Sequence, residues 1–217
     1  MPTVMIIGAS RGIGLELARQ YASDGWRVHA TTRTPDQPGA LGRLAGDPVL
    51  HELDVCRADQ IATLSASVAD AGIDVLIHNA GVSDRGRRRE EVMRINAEAP
   101  VTVTQALLEA VQRSTQKKIV WITSQLGARH GSKRSLGVYG DSKAALNDAL
   151  RALAPAWGRA GLIAIVLHPG WVRTDMGGRG APLSVEDSVS GMRQVIAGLT
   201  PAKHGRFWTW DGREHPW

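Results

Sequence analysis

Short runs of Val, Ile, Leu and Met alternate along the chain with longer segments whose apolar residues return every three or four positions. The runs at 3–7, 26–32, 49–54, 73–78, 117–123, 162–168 and 205–210 predict strands. Most are apolar at nearly every position, as a strand covered on both faces must be. The segments near 13–24, 58–71, 89–113, 139–158 and 185–198 predict amphipathic helices. Between the second and third strands, "TPDQPGALGRLAGDP" is rich in Pro and Gly and leaves room only for a short or irregular helix. Strands that alternate with helices are joined by right-handed crossovers. The expected architecture is therefore α/β, a doubly wound parallel sheet of about seven strands with helices on both faces. No repeat, low-complexity tract or linker divides the sequence. Its 217 residues, 43% of them hydrophobic, suit one core and one domain spanning 1–217.

Composition narrows the picture modestly. The formal net charge of +5 permits an anionic partner without naming one. The densest charged cluster, "DRGRRREE" at 84–91, has acidic residues at both ends and reads as a solvated surface. No nucleic-acid motif accompanies it, so no nucleic-acid partner is expected. The seven histidines and single cysteine lack close ligand spacing, and no metal is expected. Cys56 alone excludes an internal disulfide and fits a reducing compartment. "MPTVMIIGAS" reads as a first strand and not as a secretory leader. "LIAIVL" at 162–167 falls far short of the roughly 18 apolar residues a membrane span requires. A cytoplasmic protein without membrane contact is expected.

The first strand runs straight into "GASRGIG", with Gly8, Gly12 and Gly14 opening the first helix. Missing side chains permit a tight turn and let a pyrophosphate approach free backbone N–H groups at a helix N-terminus. Strand before and helix after supply the context that a bare glycine pattern lacks. The reading is a Rossmann fold with a dinucleotide cofactor. At the end of the second strand, where an acidic residue would select NAD, the chain reads Thr31, Thr32, Arg33. Arg33, and Arg11 within the glycine turn, could together clamp a 2′-phosphate, so NADP(H) is favoured over NAD(H). Asp36 stands close enough in sequence to argue the other way.

Tyr139 and Lys143 in "GVYGDSKAAL" lie one helical turn apart, with Leu146, Leu150 and Leu153 continuing the same face toward the core. A free phenol titrates near 10 and is a poor proton donor or acceptor at neutral pH. A neighbouring ammonium is expected to lower that value toward the working range. Alone, such a pair would read as a surface tyrosine and a solvated lysine. Likewise Ser124 alone would cap a turn, and Asn96 would be a polar residue at a helix kink.

Taken in order, these motifs resemble the short-chain dehydrogenase/reductase family over almost the whole chain. They are "GASRGIG", "LDV" at 53–55, "HNAG" at 78–81, Asn96 in "RINAEAP", Ser124 in "WITSQLG", Tyr139 with Lys143, and "HPGWVRTDM" at 168–176. His78 stands where Asn is more usual. "TSQLG", "PGWVRTDMGG" and "WDGREHPW" further resemble the branch of C-factor-like proteins and sniffer-type carbonyl reductases.

The resemblance implies a catalytic set of Asn96, Ser124, Tyr139 and Lys143. For the cofactor it implies Gly8, Ser10, Arg11, Gly12, Ile13, Gly14, Arg33, Asp54, Val55, Asn79, Ala80, Gly81, Tyr139, Lys143, Pro169, Gly170, Val172 and Thr174. Asp54 would contact the adenine and Thr174 hold the carboxamide. Lys143 would also grip the ribose, and Asn96 would position a water linking Lys143 to solvent. The implied activity interconverts a carbonyl and an alcohol by hydride transfer, with Tyr139 exchanging the proton and Ser124 holding the oxygen. A second reading is an NADP-responsive regulatory protein, C-factor-like, that works through a partner. The short segment from 177 to 185 predicts an open site of broad tolerance toward small carbonyl or alcohol substrates. "ARHGSKRS" is about two residues longer than the commonest family spacing and is expected to bulge at the rim with His130 exposed. Relatives pair through helices corresponding to 89–113 and 139–158, so a homodimer or homotetramer is a further expectation.

Overall fold

A computed structural model describes residues 1–129 and 137–217. Seven strands form one parallel sheet: β1 (Thr3–Ile7), β2 (Arg27–Thr32), β3 (Val49–Glu52), β4 (Val75–His78), β5 (Lys118–Ile122), β6 (Ile163–His168) and β7 (Phe207–Thr209). Their spatial order is β3-β2-β1-β4-β5-β6-β7. The chain therefore reverses its direction of growth between β1 and β4, which opens a crevice at the carboxyl ends of those strands.

The sheet is apolar because both faces are covered. On one face α1 (Gly12–Ser23) and α6 (Val185–Ala197) pack through Leu17, Ala18, Val189 and Met192. On the other, α2 (Ala58–Ser67), α4 (Ala99–Gln112) and α5 (Gly137–Arg159) contribute Ile61, Leu64, Val103, Leu107, Leu146 and Leu150. Alternate side chains of one strand enter opposite cores: Val4 and Ile6 go to the first, Met5 and Ile7 to the second. The Pro- and Gly-rich stretch after β2 holds only a short 3₁₀ turn, Leu41–Arg43, as its composition predicts.

The helix expected over 89–113 is divided. α3 (Arg89–Met93) passes into a π-helical turn, Arg94–Glu98, and then into α4. Pro100 has no N–H to give the carbonyl of Asn96, so the regular α-helical ladder cannot pass this point unchanged. Such widened turns recur at functional sites. His130 and all of the expected bulge at 128–135 beyond Ala128 and Arg129 lie outside the described residues. No described helix is long and apolar enough to cross a membrane.

Candidate active site

The glycine turn is held by the ends of two neighbouring strands. Thr31 Oγ1 accepts a hydrogen bond from the Gly8 N–H at 2.9 Å, and Asn79 Nδ2 donates to the Gly8 carbonyl at 2.7 Å. Gly8 has φ +84°, and a Cβ there would lie 2.8 Å from Ala80 Cα. A Cβ on Gly14 would fall 2.0 Å from the Gly8 carbonyl oxygen. Substitution at either position would force the backbone apart. The first turn of α1 carries neither a side-chain cap nor an acidic residue, so its N–H groups stay available to an anion. These features fit the pyrophosphate of a dinucleotide.

Around this cradle stand Ser10 and Ile13 of the turn itself, Asp54 and Val55 after β3, Asn79 to Gly81 after β4, and Pro169 to Thr174 after β6. Thr174 is directly opposite Gly12, its Cγ2 3.5 Å from where a Cβ on that glycine would be. Asp54 Oδ1 accepts from the Cys56 N–H at 2.9 Å, which orders the turn after β3. The two expected phosphate clamps behave differently. Arg33 is exposed and without a partner among the described residues, whereas Arg11 spans to Asp175 at 2.7 Å, both side chains largely in solvent. Asp36 is exposed as well.

The four expected catalytic residues converge from three elements. Ser124 follows β5, Tyr139 and Lys143 stand on the first turns of α5, and Asn96 lies at the centre of the π turn. The Tyr139 hydroxyl lies beside the Ser124 side chain, close enough for Ser124 to lower the phenol's pKa, and Ser124 Oγ accepts from the Leu126 N–H at 3.1 Å. Lys143 Nζ donates to the Ile122 carbonyl at 3.0 Å and stands 5.9 Å from the Tyr139 ring centre. Asn96, wholly buried, accepts from the Val82 N–H and donates to the Val82 carbonyl, both at 2.8 Å. Its amide also donates to Ser142 Oγ at 3.0 Å, and Ser142 in turn donates to the Tyr139 carbonyl at 2.7 Å. Asn96 thus ties the loop after β4 to the turn of α5 that carries Tyr139.

Burial dominates the electrostatics. It pushes the Tyr139 phenol up to about 12; the Ser124 hydrogen bond pulls the other way, and Asp84 adds to the rise. The expectation that Lys143 brings the phenol toward neutrality is therefore not met in this structure, because desolvating a phenolate costs more here than its neighbours return. Burial likewise lowers the Lys143 ammonium to about 8. At neutral pH the pair is a protonated phenol beside a cation.

Two contributors were not anticipated from sequence. Asn147, one turn beyond Lys143, accepts from Thr123 Oγ1 at 2.7 Å and donates to the Gly127 carbonyl at 3.2 Å, bracketing the turn that presents Ser124. Ser142 joins Asn96 to Tyr139. Their one sequence signal is a polar residue on the buried side of an otherwise apolar helix face. Gly127 completes the packing, since a Cβ there would meet the Lys143 backbone at 2.7 Å. A groove of about 500 Å³ lined by Arg151, Pro155, Arg159 and Trp217 sits at the far end of α5 and takes no part in this site.

A doubly wound sheet with a glycine turn at its switch point is the plan of an oxidoreductase built on a Rossmann fold. The family profile described as short chain dehydrogenase matches residues 2–181, and the chain belongs to that family. Among curated proteins it is 38% identical to C-signal of Myxococcus xanthus over 162 residues, covering 70% of this chain and 98% of that one. The NADPH-bound carbonyl reductase from chicken fatty liver superposes with a TM-score of 0.90 at 30% identity, covering 100% of this chain and 99% of the other. Carbonyl reductase Sniffer of D. melanogaster gives a TM-score of 0.87 at 27% identity, with both chains fully covered.

Proposed function

We propose that this oxidoreductase is an NADP-dependent reductase of small carbonyl compounds, working as one cofactor-binding domain with Asn96, Ser124, Tyr139 and Lys143 as its proton-transfer set. The observation that carries the reading is the Tyr139 hydroxyl beside Ser124 and within a turn of the buried Lys143. The bound dinucleotide would supply the hydride. Tyr139, protonated at neutral pH, donates to the oxygen on which negative charge develops. Ser124 is placed to hydrogen-bond that same oxygen. Lys143 stabilises the phenolate left behind, and Asn96 fixes the first turn of α5 through Ser142. The exposed Arg33 and the weakly held Arg11 favour a 2′-phosphate over a bare ribose.

NADPH oxidation over a panel of aldehydes, ketones and quinones, run beside Tyr139→Phe and with NADH as control, tests the proposal. Turnover favouring NADPH and lost in the variant supports it. NADPH binding without turnover of any panel member would favour the regulatory alternative. The retained proton-transfer residues argue against that alternative, since a pure sensor has no use for them.

A further inference from the structure

His78 closes β4 immediately before Asn79, Ala80 and Gly81. It is 2% exposed and lies between Ile7 of β1 and Trp121 of β5. Both neighbours point into the core beneath α4 and α5, so the imidazole faces the side of the sheet that Lys143 covers. Lys143 Nζ reaches this same spot. It bonds the carbonyl of Ile122, the residue after Trp121, and lies 3.5 Å from where a Cβ on Gly81 would be.

Two complementary deficits meet there. An ammonium has three N–H donors, and among the described residues Ile122 O is the one acceptor Lys143 reaches. His78 Nε2 is buried with no hydrogen-bond partner among the described residues. Buried polar atoms are rarely left so, because a group taken out of water without a new partner loses the bond that water supplied. Asn96 cannot donate to His78, both N–H groups of its amide being committed to the Val82 carbonyl and Ser142. Burial first and the Lys143 charge second hold the ring down at about 3, so it is neutral. The other charges nearby act elsewhere: Asp84 faces Tyr139, while Arg94 and Glu98 of the π turn act on Cys56.

We infer that His78 is a positioning residue for Lys143, its Nε2 accepting a hydrogen bond relayed from the ammonium through one buried water and so keeping Lys143 charged and aimed at Tyr139. The relay rests on burial and unmet hydrogen bonds, independently of any activity; its effect on turnover rests on the reductase reading above.

Two measurements on the full chain separate these. In a urea-unfolding cycle of H78F, K143M and the double variant, H78F lowers the midpoint roughly twice as far with Lys143 present as in the K143M background. Equal shifts in the two backgrounds overturn the contact. In the pH profile of carbonyl reduction, H78F moves the alkaline limb down by about one unit, because an ammonium robbed of an acceptor loses its proton more readily. H78N keeps an acceptor and leaves the limb in place. A limb unmoved in H78F, or moved equally in H78N, overturns the positioning role. If H78F does not fold, H78L takes its place in both arms. Failure of the unsubstituted protein to reduce any carbonyl would sink the reductase reading, while the unfolding cycle would still decide the contact.

Discussion

At the scale of single residues, charge and burial set the chemistry. Lys143 titrates at about 8 in the folded chain against 10.5 for an ordinary lysine, with burial as the cause. Carbonyl reduction should therefore fall as pH rises through about 8, where the ammonium supporting Tyr139 is lost. Between 8 and 10.5 the unfolded chain binds more protons than the folded one, so Lys143 makes stability rise with pH over that window. Rates and unfolding midpoints recorded over one pH series check this, and a parallel decline of both would contradict it. Arg33 carries a second prediction. Arg33→Ala should weaken NADPH about tenfold and leave NADH unchanged, the worth of one charge-assisted bond to the 2′-phosphate. Fluorescence titration of the two cofactors decides it, and equal loss for both would place Arg33 elsewhere. The Arg11 and Asp175 pair is a weaker obstacle to phosphate than its 2.7 Å length suggests, because ion pairs so exposed contribute about 1 kcal/mol or less.

At the scale of elements, the π turn and the opening of α5 behave as one unit joined through Asn96. Asn96→Ala would leave the Val82 N–H and carbonyl without their side-chain partners in a partly buried setting. Its expected cost is on the order of 2–4 kcal/mol, seen as a lower urea midpoint, together with a fall in kcat exceeding any change in KM. A variant of unaltered stability would show that the loop after β4 has other supports. The polar residue at a kink is visible in sequence, and Pro100 explains why the ladder must change there. What it bonds to is not visible, since Val82 and Ser142 approach only when β4 and α5 pack. The glycine turn shows the same division: its glycines announce a tight approach, but the Thr31 hydroxyl that anchors it looks like any strand threonine.

Across the whole molecule, buried neutral histidines link stability to acidity. His29 and His168 are depressed to about 4 and His78 to about 3, each chiefly by burial. Unfolding returns them to an ordinary value near 6.5, so the unfolded chain takes up protons that the folded chain refuses. Their contribution is complete above about 6.5 and is lost as pH falls toward 4. Denaturant midpoints between neutrality and pH 5 should drop steeply, and replacing His168 by Asn should flatten that slope. A midpoint constant over the interval would refute the account.

Element type and order, the dinucleotide turn and the Tyr139 and Lys143 spacing were legible from sequence alone. Each depends on residues within a few positions of one another, where helix and strand periodicity acts directly. The seventh strand and the helix limits followed the same signals to within a few residues. Tertiary structure decided the rest: Arg11 turned toward Asp175, 164 residues away, Asn147 set beneath Ser124, and a phenol raised instead of lowered. Sequence spacing places groups along a local axis, but the water excluded from them and their partners depend on how distant elements close over one another.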